Sequence, residues 1–115
     1  MIKVTIAEDA AVISSVTDKY TPSLRMAWAQ ENEFARGYCL FDMSGEIVFV
    51  RDNDSIFELL IRAALNYLDN RGVKESFCAN VEYTGKLKSL GFVKDEGIAK
   101  VNIREFFKPC CEGRR

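Results

Sequence analysis

The chain has 115 residues, 48% hydrophobic and 29% charged, which suits one folded domain rather than a fibrous or disordered segment. It contains no histidine, and that removes Ser-His and Cys-His nucleophile pairs, imidazole proton shuttles and His-bearing zinc sites. Sixteen basic against seventeen acidic residues leave a net charge of -1, which argues against a nucleic-acid or anionic-membrane partner.

In chain order, residues 2–7 alternate as a first strand, with Val4 and Ile6 on one side. Glu8-Asp9 opens a helix expected to run to Tyr20, with Val12, Ile13, Val16 and Tyr20 at helical spacing and Thr21-Pro22 as its stop. Strands follow at 24–30, 34–42 and 46–51, joined by the polar turns 31–33 and 43–46, so an antiparallel meander is expected. The run Ile47-Val48-Phe49-Val50 suits a central strand covered on both faces, and it is far below the ~20 apolar residues needed to span a bilayer. With the start of the chain turning acidic at Glu8-Asp9, the expectation is a cytoplasmic protein.

A long amphipathic helix comes next. Ile56, Leu59, Leu60, Ala63, Ala64, Tyr67 and Leu68 recur at the spacing of a stripe packed on a sheet, and Phe57, Ile61 and Leu65 widen it. Ser55 and Glu58 form a capping-box pattern at its start, and Asn70-Arg71-Gly72 ends it. So wide an apolar face predicts cover on a second side, by another element or a partner subunit. A strand at 73–80, parallel to the fourth by its helical connection, leads into a short helix at 81–90 capped by Gly91. A hairpin over 92–94 and 98–103 and a last turn capped by Asn102 complete a domain over 1–109, with 110–115 as a tail.

Cys39 and Cys78 lie in apolar strand-like stretches and read as small buried hydrophobes. Cys110-Cys111 are adjacent, too close for an unstrained mutual disulfide, and supply only two of the four ligands of a structural zinc site. No metal site is expected.

The order β-α-β-β-β-α-β-α-β-β, with Asn80 eleven residues before Gly91-Phe92, resembles the GCN5-related N-acetyltransferase (GNAT) family. The resemblance implies an α+β fold in which an antiparallel meander joins a parallel strand-helix-strand unit. It also implies acetyl-coenzyme A as co-substrate. Its pyrophosphate would rest on backbone amides of an R/Q-x-x-G-x-G/A loop at the start of the long helix, where orphan N–H groups face an anion. Here that stretch is Arg51-Asp52-Asn53-Asp54-Ser55-Ile56, and the fourth strand's backbone at Phe49 and Val50 would pair with the pantetheine arm. Arg51 matches the motif, whereas Asp54 and Ile56 replace the two small residues. Carboxylates beside phosphates cost about 1–4 kcal/mol at surface-like dielectric, so weak coenzyme binding is expected.

The resemblance further places Asn80 at the coenzyme and a tyrosine at position 87 as the acid for the leaving thiolate. This chain has Leu87 there, with Tyr83 one turn earlier as the available hydroxyl, either a catalytic acid or a core aromatic. Asn80 equally suits a helix cap. Glu33, Asp42 and Glu46 are the carboxylates available as a base. One helix instead of two between the first strands leaves a shallow acceptor site, or one completed by a second subunit. Two functions are therefore expected to compete: an acetyl-CoA-dependent N-acetyltransferase acting on a small-molecule or peptide amine, and a non-catalytic ligand- or protein-binding module, dimeric in one version.

Overall fold

The structure, a computed structural model, describes residues 2–32, 34–52 and 56–107. The order is β1 (Ile2–Ala7), α1 (Ala10–Ser14), β2 (Leu24–Glu31), β3 (Phe34–Asp42), β4 (Ile47–Asp52), α2 (Phe57–Asn70), β5 (Glu75–Cys78), α3 (Val81–Ser89), β6 (Val93–Asp95), β7 (Ile98–Asn102) and α4 (Ile103–Phe107). No helix among the described residues is long and apolar enough to cross a membrane.

The meander forms as the alternation predicts. β1 to β4 make an antiparallel sheet in sequence order, with Val4 opposite Ala29, Ala27 opposite Cys39 and Cys39 opposite Val50. Because side chains alternate across a strand, Ala27, Ala29, Cys39, Phe41 and Val50 enter one core with α2. Leu24, Met26 and Leu40 enter a second cluster under Ile13 of α1. Small residues on β2 let α2 lie close to the sheet. Leu60, Ile61, Ala64, Leu65 and Leu68 are all fully buried, whereas Leu59, expected on the stripe, is 39% exposed.

The second side of α2 is covered within the chain. Asn102 Oδ1 accepts from the Glu105 N–H at 3.0 Å and starts α4, which brings Phe106 and Phe107 beneath the Arg62 guanidinium at 5.5 and 5.7 Å. The breadth of the α2 stripe is thus met by β1–β3 and α4, and it supplies no argument for a second copy.

Three expectations change. The first helix spans five residues rather than thirteen, because hydroxyls beyond Ser14 compete for its backbone. Ser15 Oγ donates to Val12 O at 2.6 Å, and Thr17 Oγ1 accepts from the Lys19 N–H at 3.1 Å. The second change is at β4, which closes the edge of its sheet instead of lying centrally. The third concerns the parallel pairing of β4 with β5, which shrinks to a single bridge between Glu46 and Phe77. Gly45 makes that junction, its carbonyl accepting from Phe77 N at 3.0 Å and from the Ser76 hydroxyl at 2.7 Å. Beyond it β5 leaves to form a separate antiparallel sheet in the order β5-β7-β6. The chain therefore has two sheets joined at one corner and split above it.

Candidate functional site

The split begins where β4 bends. Leu40 faces Phe49 while Phe41 faces Ile47, so Val48 is an extra residue, a bulge that breaks the ladder and turns the strand. Val50 is then paired with Cys39 in register, while its own N–H and C=O point away from β3 into the split. One hydroxyl meets both groups. Tyr83 Oη donates to Val50 O at 3.0 Å and accepts from Val50 N at 3.1 Å.

Tyr83 is held there by α3. Asn80 caps that helix, its side-chain oxygen accepting from Glu82 N at 2.9 Å, and the Tyr83 N–H bonds to Asn80 O at 3.0 Å. The ring sits edge-on to Phe49, with centroids 6.4 Å apart, and tilted to Phe57 at 6.3 Å. Burial pushes the phenol pKa up, and the bond to Val50 offsets only part of that rise. Leu87, one turn on, is fully buried and carries no polar group to the split.

In front of Phe49 lies a cavity of about 460 Å³ bounded by the segment after α1, by β2 to β4 and by the start of α3. Its lining combines Leu24, Leu40, Val48 and Phe49 with Lys19, Asp42, Glu46 and Asn80. Partial burial pushes the Asp42 carboxyl up. The Ser23 hydroxyl at 2.6 Å and the Ser44 N–H at 2.9 Å outweigh that and hold it below the ordinary aspartate value. Glu46 stands half-buried on the same wall, at the bridge to β5.

The sequence-predicted residues thus fall into three groups. Phe49 and Asn80 line the cavity, and Val50 and Tyr83 are bonded to each other behind it. Arg51 is exposed near the end of β4, opposite Tyr38. Ile56 is 5% exposed and packs in the α2 core, directly before the helix, with no side-chain cap. The helix begins one residue later than a Ser55 cap predicts. Asn53, Asp54, Ser55, Glu33 and the Cys110-Cys111 pair lie outside the described residues. Sequence reasoning missed Lys19 and Leu24 as cavity walls. The hydroxyl-rich stretch after Ser14, which ends α1 early and turns the chain over β2, was the signal for them.

The β4 edge presents the Val50 N–H beside its C=O, a set that fits an amide-bearing arm such as pantetheine, and among the described residues no strand pairs with it there. The Tyr83 hydroxyl, both donor and acceptor, fills the place such an amide would take.

No protein-family model and no curated protein matches the sequence. Solved structures do match its fold. A Desulfovibrio desulfuricans protein assigned to the GNAT family as an acetyltransferase superposes with a TM-score of 0.65 at 10% identity, covering 90% of this chain and 99% of its own. The AtaT toxin, in its Y144F form bound to the C-terminus of the antitoxin AtaR, gives 0.67 at 14% identity over 92% and 94%. Escherichia coli YhhK, an N-acetyltransferase candidate solved with coenzyme A bound, gives 0.60 at 17% identity over 89% and 98%. The chain has the GNAT acetyltransferase fold.

Proposed function

We propose that the protein is an N-acyltransferase that takes an acetyl group from acetyl-coenzyme A and passes it to an amine. The observation that carries this reading is the meeting, at Phe49, of a strand edge held by a side-chain hydroxyl instead of a strand and a cavity lined by carboxylates. The edge at Val50 suits the coenzyme's amide arm, and the cavity suits an amine with an apolar body, drawn in by Asp42 and Glu46. Coenzyme A supplies an activated acyl group as a thioester. The chain's contribution is to hold the amine nitrogen against that carbonyl, since proximity lowers such barriers by several kcal/mol.

Asp42, already anchored by two donors, holds the ammonium form on arrival; that form releases one proton to solvent, and Glu46, directly or through water, takes the second as the C–N bond forms. The C–N bond forms as the C–S bond breaks, and the thiolate leaves with a proton. Tyr83 can give that proton only after its hydroxyl lets go of Val50. Calorimetric titration with acetyl-coenzyme A, followed by a thiol-release assay over a panel of primary amines, tests the reading. Binding below ~1 mM with thiol release above the hydrolytic background supports it, and no heat at millimolar coenzyme contradicts it.

A second reading has its own observation. The Tyr83 hydroxyl occupies the Val50 edge, and the sequence carries Asp52 and Asp54 within the stretch 51–56 that the resemblance matches to a phosphate loop. On that reading the split is a permanent seam and the cavity binds an amine without transfer. A protein that binds amines but never coenzyme A would establish it.

A further inference from the structure

We infer that Tyr83 is a latch on the coenzyme groove: its hydroxyl stands in for the amide of the pantetheine arm, and coenzyme A binds only by displacing it. The inference rests on the acyltransferase reading and adds the residue that governs access to the site.

Three features carry it. First, the bond is bidentate. A single oxygen donates to Val50 O at 3.0 Å and accepts from Val50 N at 3.1 Å, which is the pairing a neighbouring strand or an amide arm would offer. An incoming arm cannot reach these groups while the hydroxyl is on them. Second, the contact is long-range, joining the edge of the first sheet to the helix that follows β5, so it closes the split rather than one side of it. Third, the Tyr83 ring is a 9% exposed member of the main core but not the deepest anchor of α3. It packs between Phe49, itself 39% exposed, and Phe57, whereas the fully buried residue of α3 is Leu87. The anchor of the helix and the bolt on the groove are separate side chains.

The latch also answers a packing need. In its absence the Val50 N–H and C=O would face a split walled by aromatic rings, and polar groups in such a place need a partner. A tyrosine hydroxyl satisfies donor and acceptor with one atom, on a ring long enough to reach Val50 from α3, and can still be exchanged for another partner offering both. Access then depends on a competition between two matched sets of hydrogen bonds, so coenzyme affinity is lowered by the strength of the internal set.

The test compares coenzyme A affinity of the wild type and Tyr83→Phe by calorimetry, with amide hydrogen exchange at Val50 as a second readout. Phe keeps the ring packing and removes only the bolt, so the variant is expected to fold. Each internal hydrogen bond counts for up to about tenfold in an equilibrium, and Tyr83→Phe is expected to bind coenzyme A roughly tenfold or more tightly than the wild type. The Val50 amide should exchange faster in the ligand-free variant and become protected again on adding coenzyme A. In the thiol-release assay the same variant should show a lower KM together with a lower kcat, a split that loss of packing alone does not give. Equal or weaker binding by Tyr83→Phe, with the wild type still binding, overturns the latch and leaves the acyltransferase reading standing. If neither protein binds millimolar coenzyme A, both fall together.

Discussion

A single phenol decides how the split is read. At position 83 the sequence allows either an acid at the groove or an aromatic in the core. In the structure the residue is 9% exposed, and its hydroxyl is committed to Val50. Two carboxylates show the same dependence on partners. Glu8 accepts from the Tyr67 hydroxyl, which also accepts from Arg25 Nε at 3.2 Å, and Arg71 lies over the Tyr67 ring at 3.6 Å. The Tyr67 bond, with help from Arg25 and Arg71, holds the Glu8 carboxyl below its ordinary value of 4.5, and Asp42 is held below its ordinary 3.8. A carboxyl depressed in the folded state contributes stability above its unfolded pKa and loses it as pH falls through the folded one. The protein should therefore lose stability progressively below about pH 4.5, and Glu8→Gln should flatten that decline when melts at pH 7 and pH 3 are compared. Cysteine 39 titrates the other way. Burial, and then the neighbouring Cys78, push its thiol far above the ordinary range. Alkylation of the native protein at pH 8, mapped by peptide mass, should spare Cys39 and Cys78, and both should react once denaturant is added.

Among the elements, those with a clean period were legible and those limited by side-chain competition were not. β3 and α2 follow from alternation and from the 3.6-residue stripe, since each buries one face against the other. The end of α1 did not follow, because Val12 and Val16 keep helical spacing while Ser15 and Thr17 draw the backbone away; both valines end up near 40% exposed. β4 looked central because its apolar run has no polar face. It is an edge whose far side is met by a tyrosine instead of a strand. Substitutions separate these roles. Leu60→Ala in the fully buried stripe should cost about 2–5 kcal/mol in denaturant unfolding. Gly45 has φ of 105° and packs its Cα against the Glu75 carbonyl, so Gly45→Ala should cost roughly 2–4 kcal/mol and loosen the corner between the sheets. Gly37 is tight for another reason. A Cβ there would strike the Arg51 carbonyl and come 2.9 Å from Ile56 Cδ1, so Gly37→Ala should push the β4 backbone away at its exit, with no left-handed φ at Gly37 adding to the cost.

At the scale of the whole molecule, the candidate site is set by how two sheets meet. Joined at Gly45 and parted above it, they leave the β4 edge at Val50 without a strand partner among the described residues and, beside it, a cavity with a carboxylate wall. The resemblance named Phe49 and Asn80, both of which line the cavity, and the order of elements was readable from spacing. The closure at Val50 was not, because it links residues 33 apart in the chain through a side chain whose two roles look alike in sequence. The lack of histidine excludes little in such a site, where a carboxylate and water can move the proton. What matters is whether the edge opens. The most direct measurement is an NMR titration of the protein with coenzyme A, following the amides of Val50, Arg51, Ile56 and Phe57. A saturable shift at all four, half-complete below ~1 mM and largest at Val50, is the predicted result. Unchanged amides at these positions at millimolar coenzyme A, in a protein that remains folded, would contradict it.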